Sequence, residues 1–197
     1  MSTSVWNVPN RLSAARIVFA IACFGCLSWG YYLAALGLFA VAAATDWLDG
    51  YWARRFDQVT QLGRILDPFA DKLLICGVFV YLAAIPTSHV PAWAAVVVIA
   101  RELLVTALRS FIESHGGDCS AKWAGKWKMV LQCATVVASL WSLTVAEPPS
   151  AWLSMGVRGL VGATVVLTLL SGWEHVQAAI GMQRPSETTS ANSEEAT

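Results

Sequence analysis

Six stretches of this chain run apolar for about fifteen residues or more: 15–29, 31–45, 68–85, 91–112, 128–145 and 152–178. Inside a bilayer no water satisfies backbone N–H and C=O groups, so a spanning segment closes its hydrogen bonds internally as a helix of about 20 residues. The first two stretches reach that length if residues 13–17 and 46–54 continue the same helices. All six exceed ordinary strand length, and long alternation of period two is absent, which disfavours a transmembrane barrel. The expected fold is an all-α membrane protein, a six-transmembrane-helix bundle. No internal repeat is present.

Composition agrees. Of 197 residues, 56% are apolar and 13% charged, against about 25% charged in an ordinary soluble domain. The 13 Lys and Arg balance the 13 Asp and Glu. A net charge of zero argues against nucleic-acid binding, and the hydrophobicity excludes a disordered chain. The links after the first, third and fifth stretches (Gly30, 86–89 and 147–151) contain no Lys or Arg. Eleven of the thirteen basic residues fall on the other side, leaving Arg101 and Arg158 within spans. The positive-inside rule then places both termini in the cytoplasm, with the chain multi-pass in the cell (inner) membrane. Trp6, Trp29, Trp47, Trp52, Trp93, Trp123, Trp152 and Trp173 fall near predicted span ends, as an aromatic belt would. The first stretch is read as an uncleaved span rather than a signal peptide, because another apolar run follows it. Residues 1–182 form the expected membrane domain. Residues 183–197, rich in Ser, Thr and Glu, form an expected disordered cytoplasmic tail. Cys23 and Cys26 lie inside an apolar span and are read as packing residues rather than a redox or zinc pair.

Charges in so apolar a chain are costly, and four acids are concentrated within 26 positions: Asp46, Asp49, Asp67 and Asp71. Asp46 and Asp49 are three apart and share a helix face at the end of the second span. Asp67 and Asp71 are four apart at the start of the third, with Pro68 expected in its first turn. A short turn around Gly63 would lay the two helices side by side and bring four carboxylates together. They would repel one another unless cations sat between them, and hard divalent ions such as Mg²⁺ or Mn²⁺ prefer oxygen ligands. Two such ions suit phosphoryl-type displacement. Another reading pairs the acids with Arg54, Arg55, Arg64 and Lys72 on a solvated loop. That reading leaves both helical spacings unexplained, and also Gly50 beside Asp49, where a missing side chain lets a ligand approach the backbone.

These residues resemble a known family. Asp46-x-x-Asp49-Gly50-x-x-Ala53-Arg54, eight residues, Gly63-x-x-x-Asp67-x-x-x-Asp71 is similar to the full signature of the CDP-alcohol phosphotransferases. The resemblance implies a reaction in which an acceptor hydroxyl attacks the β-phosphorus of a CDP-linked lipid and CMP leaves. It implies that Asp46, Asp49, Asp67 and Asp71 bind two divalent ions, Mg²⁺ or Mn²⁺, and that Asp71 is also the general base. By position it assigns Pro9, Asn10, Gly50, Arg54, Thr60 and Gly63 to the CDP donor. Members are commonly homodimers.

A second, basic constellation follows: Arg101-Glu102, Arg109, Lys126 and Lys128. Arg101 lies about ten residues into the fourth span, roughly 15 Å along a helix, and must face a wet cavity or an acidic partner. Lys122 is equally well read as a snorkelling anchor, Arg158 has no evident role, and Glu174 and His175 read as interfacial. Arg101-Glu102-Leu-Leu-Val-Thr-Ala-Leu-Arg109, then Gly125-Lys126-x-Lys128 and Gln132, is similar to the bacterial phosphatidylglycerophosphate synthases within that family. So is the opening from Asn7 to Ile17. Met129 and Ala107 depart from that branch. The resemblance implies CDP-diacylglycerol and sn-glycerol 3-phosphate as substrates, with the acceptor phosphate held by Arg101, Arg109, Lys126 and Lys128. The alternatives are the same chemistry on another acceptor (a cardiolipin synthase or phosphatidylinositol-phosphate synthase), a divalent-cation transporter, or a structural lipid-binding protein.

Overall fold

The computed structural model describes residues 8–56, 61–114, 123–145 and 150–183, and side chains within these except at 8–12, 46–56, 61–67, 113–114, 123–126 and 181–183. Its six α-helices are α1 (Val8–Ser28), α2 (Tyr32–Phe56), α3 (Gln61–Ala84), α4 (Ala92–Ser114), α5 (Trp123–Thr144) and α6 (Ala151–Gln183). A 3-10 turn, Pro86–Ser88, precedes α4. No strand occurs among the described residues. Four of the six helices, α1, α3, α5 and α6, begin before the apolar stretch that marks them.

The α1–α2 connection is as short as expected. Gly30 sits at φ +77, a left-handed conformation that closes a helix end. Its N–H donates to the Leu27 carbonyl at 3.2 Å, and the Tyr31 N–H to the Cys26 carbonyl at 2.8 Å. Two expectations fail locally. Gly63 is helical rather than in a turn, since α3 already starts at Gln61. Pro68 is therefore inside α3, a full helical turn or more beyond its start, where it cannot donate to the carbonyl four residues earlier. Among the described residues α2 and α3 share at most a slight contact, and each packs mainly on α1. α1 packs closely there: Ala20 and Cys23 are fully buried and the Cys23 thiol donates to the Ala35 carbonyl at 3.4 Å. Gly77 of α3 lets the Phe24 ring of α1 lie against the backbone, and Phe24 stacks on Tyr81 with ring centroids 5.5 Å apart.

A Cβ on Gly77 would fall 2.1 Å from the Phe24 Cζ. Gly77→Val is expected to destabilise the protein by about 1–3 kcal/mol, the usual cost of overpacking. Phe24→Ala in the same chain should recover part of that loss in detergent unfolding curves. Strictly additive losses would show that the two residues do not meet.

The bundle is apolar on its outside as well as in its core. Every helix presents large apolar side chains outward: Val18 and Ile21, Leu33 and Val41, Phe69 and Val80, Val96 and Leu103, Val130 and Trp141, Val166 and Leu169. Inside lie Arg16, Arg101, Glu102, Lys128, Gln132, Thr135, Ser139, Thr164 and Ser171. Soluble monomers rarely expose apolar surface on this scale. Small hydroxyls also join the helices: Thr135 and Thr164 are 2.7 Å apart across α5 and α6, a contact typical of helices packing in lipid. By length and composition, one described helix, Ala151–Ile180, is apolar enough to cross a membrane. The apolar runs of α1 and α2 are shorter, Ser13–Ser28 and Tyr32–Thr45. α3, α4 and α5 carry ionisable residues that interrupt theirs.

Candidate active site

The ionisable residues within α4 and α5 converge at one place. Glu102 of α4 faces Lys128 and Gln132, which lie one turn apart on α5. The Lys128 ammonium donates to Glu102 Oε1, and the Gln132 amide reaches the same oxygen at 3.3 Å. Arg101 also touches Glu102 Oε1 at 3.3 Å, and its other terminal nitrogen donates to the Ser171 hydroxyl of α6 at 2.6 Å. Gly172 makes room for this arm, since a Cβ there would stand 3.3 Å from Arg101 Cγ. His175 Nδ1 lies 2.7 Å from the Ser171 carbonyl. Arg101, Glu102 and Lys128 are all more than nine-tenths buried. Two cations therefore share one carboxylate at the junction of three helices, and this group carries a surplus positive charge.

One of the four aspartates adjoins it. Asp71, half-buried on α3, interacts electrostatically with Lys128. The backbone places Asp67 one turn earlier on α3, and Asp46 and Asp49 on the C-terminal part of α2. The side chains of Asp46, Asp49, Gly63, Asp67, Pro9, Asn10, Gly50, Arg54 and Lys126 lie outside the described residues, and so does Thr60 altogether. Among the described residues no three metal-ligating side chains come together, and of the four acids only Asp71 belongs to that set.

Arg109 takes a different position from Arg101 and Lys128. It is exposed and lines a cleft of about 630 Å³ between α3 and α4. Lys72 lines the same cleft, with Cys76, Thr106 and Ser110. Arg109 still acts on Arg101 through its charge. The basic constellation thus has a buried part, Arg101 and Lys128 tied to Glu102, and an open part, Arg109 and Lys72 in the cleft. Sequence reasoning did not assign Glu102, Gln132 or Ser171 to the site. The available signal was Glu102 itself, a carboxylate in an apolar helix, beside which two cations require a shared partner.

The described residues thus form an all-helical bundle with a buried ionic group, one aspartate beside that group, and an open cleft lined by Arg109 and Lys72. Comparison with known proteins makes the class specific. The family model for CDP-alcohol phosphatidyltransferases matches residues 6–173. The chain belongs to this membrane-embedded family. It is similar to the CDP-diacylglycerol--glycerol-3-phosphate 3-phosphatidyltransferase of Bacillus subtilis (strain 168), 32% identical over 189 residues, covering 87% of this chain and 94% of that one. It is likewise similar to the enzyme of the same name from Escherichia coli (strain K12), 33% identical over 184 residues, covering 88% and 95%.

Proposed function

We propose that this protein transfers the phosphatidyl group of CDP-diacylglycerol to sn-glycerol 3-phosphate, giving phosphatidylglycerophosphate and CMP. The observation that carries this function is similarity to two enzymes with that activity over nearly the whole of each chain. The adjoining acidic and basic clusters supply the chemistry. The acceptor hydroxyl oxygen attacks the β-phosphorus, the bond from that phosphorus to the CMP oxygen breaks, and Asp71 takes the hydroxyl proton. Arg109 and Lys126 hold the acceptor phosphate by charge-assisted hydrogen bonds. Arg101 and Lys128 add positive potential from their buried position, with Glu102 holding both cations in place. Pro9, Asn10, Gly50, Arg54, Thr60 and Gly63 receive the CDP part of the donor.

The family is generally divalent-metal dependent, and the donor set fits: all four aspartates offer hard oxygen ligands from two helices that both pack on α1. Asp46, Asp49, Asp67 and Asp71 would hold two Mg²⁺ or Mn²⁺ ions. Bound there, such ions neutralise the diphosphate and the charge that develops on the leaving CMP.

The outward apolar side chains on all six helices support a six-span bundle in the cell membrane, with both termini and the active site cytoplasmic. Residues 1–182 are the membrane domain and 183–197 a cytoplasmic tail, and the working unit is a homodimer. CMP release by purified protein in detergent tests the activity. It is expected with glycerol 3-phosphate and Mg²⁺ or Mn²⁺, and is lost on chelation. Release with inositol phosphate or phosphatidylglycerol but not with glycerol 3-phosphate would overturn the acceptor. Arg109→Ala is expected to raise KM for glycerol 3-phosphate about tenfold with little change in kcat, as loss of a charge-assisted bond predicts. An unchanged KM would make Arg109 a membrane anchor only.

A further inference from the structure

The end of the bundle opposite the aspartates holds a second cleft, which the catalytic reading does not use. Its volume is about 490 Å³, and it opens between the end of α3, the 3-10 turn and α6. Ile85, Pro86, His89, Trp93, Arg158 and Gly162 line it. Two polar groups there lack partners. Arg158 is the one Lys or Arg in α6, and it makes no ion pair or hydrogen bond among the described residues. The His89 Nε2 is buried with no hydrogen-bond partner. His89 also holds φ 60, the one positive φ outside glycine among the described residues, a strain that its surroundings must maintain. Gly162 stands one turn after Arg158, and a Cβ there would meet nothing within 4 Å, so this wall of the cleft is open. Trp93 and Trp152, 59% and 76% exposed, sit at the starts of α4 and α6, at the depth where aromatic side chains meet head groups.

We propose that this cleft binds the phosphate of an anionic phospholipid in the leaflet opposite the active site, through the Arg158 guanidinium and the His89 Nε2–H. A guanidinium in an apolar helix requires an anion or water, and its planar fork matches two phosphate oxygens. The imidazole adds a third donor from the turn. The volume suits a small ligand or head group, and the neighbouring apolar helix faces continue the site for acyl chains. The proposal rests on the two-sided bundle described above but not on the identity of the acceptor. Its test is therefore independent of catalysis.

The experiment is native mass spectrometry and thermal unfolding of the full chain. It uses nanodiscs of phosphatidylcholine with or without phosphatidylglycerol, and separately detergent with inorganic phosphate. Wild-type protein is expected to retain phosphatidylglycerol and to unfold at higher temperature with it. Arg158→Gln, and independently Gly162→Phe, should weaken that retention about tenfold while CMP release stays within twofold. The Gly162 variant blocks the cleft without touching its charge. Equal phosphatidylglycerol retention by both variants and wild type would overturn the proposal. So would binding of inorganic phosphate as tight as that of the lipid, or loss of a dimer in the Arg158 variant with lipid retention intact.

Discussion

Asp71→Asn is expected to lower kcat for CMP release about 10²- to 10⁴-fold, the range typical of removing a general base. The size follows from its assigned tasks. In the proposed reaction Asp71 takes the acceptor proton and gives the metal site a charged oxygen, whereas an amide cannot take the proton at neutral pH and offers only a neutral, weaker oxygen ligand. Asparagine has nearly the same shape, so α3 should keep its packing on α1, which detergent unfolding would verify. A kcat within severalfold of wild type would remove Asp71 from the role of base. Because Asp71 interacts with Lys128, the variant also releases a restraint on the basic cluster. KM for glycerol 3-phosphate is therefore expected to change far less than kcat, and in the direction of tighter binding.

Glu102→Ala is expected to destabilise the protein by about 3–5 kcal/mol, the cost of removing one partner from a buried ionic group. Arg101 and Lys128 would then face each other across the space that the carboxylate had neutralised, with both side chains more than nine-tenths buried. Gln132 would lose its acceptor as well. Replacing all three together, Glu102→Leu with Lys128→Met and Arg101→Met, should recover much of the stability, since apolar residues of similar volume often substitute for a buried ionic group without loss. Activity should not return with it, because the Lys128 ammonium that interacts with Asp71 would be gone. Chemical unfolding in micelles beside CMP release separates the two outcomes. A stable Glu102→Ala protein would show that water reaches the cluster and screens it.

Much of this architecture is visible in the residue order. Long apolar runs gave helix number and order, and Gly30 the tight turn between α1 and α2, because each depends on residues close in sequence. Gly63 and Pro68 misled for a related reason. Turn and first-turn preferences are weak local tendencies, and the helix that contains both residues is set by the packing of α3 against its neighbours. The division of the basic residues was also hidden. Arg101, Arg109, Lys126 and Lys128 read as one phosphate-binding set, yet Arg101 and Lys128 are buried on Glu102 while Arg109 lies in an open cleft. Helical periodicity reports which residues share a face, but not which neighbour that face meets.

By itself the sequence determined the all-helical class, the order of the six helices and the chemistry. The aspartates at their helical spacings match the family signature, and a chain with 13% charged residues keeps few charges without a use. Only the tertiary structure decided that α2 and α3 both pack on α1, that Glu102 joins Arg101, Lys128 and Gln132, and that Arg158 shares a cleft with His89. Those facts depend on the rotation and depth of each helix relative to the others. They arise from side-chain shape at the contacts, such as Phe24 on Gly77 and Arg101 beside Gly172, which no spacing along one chain specifies.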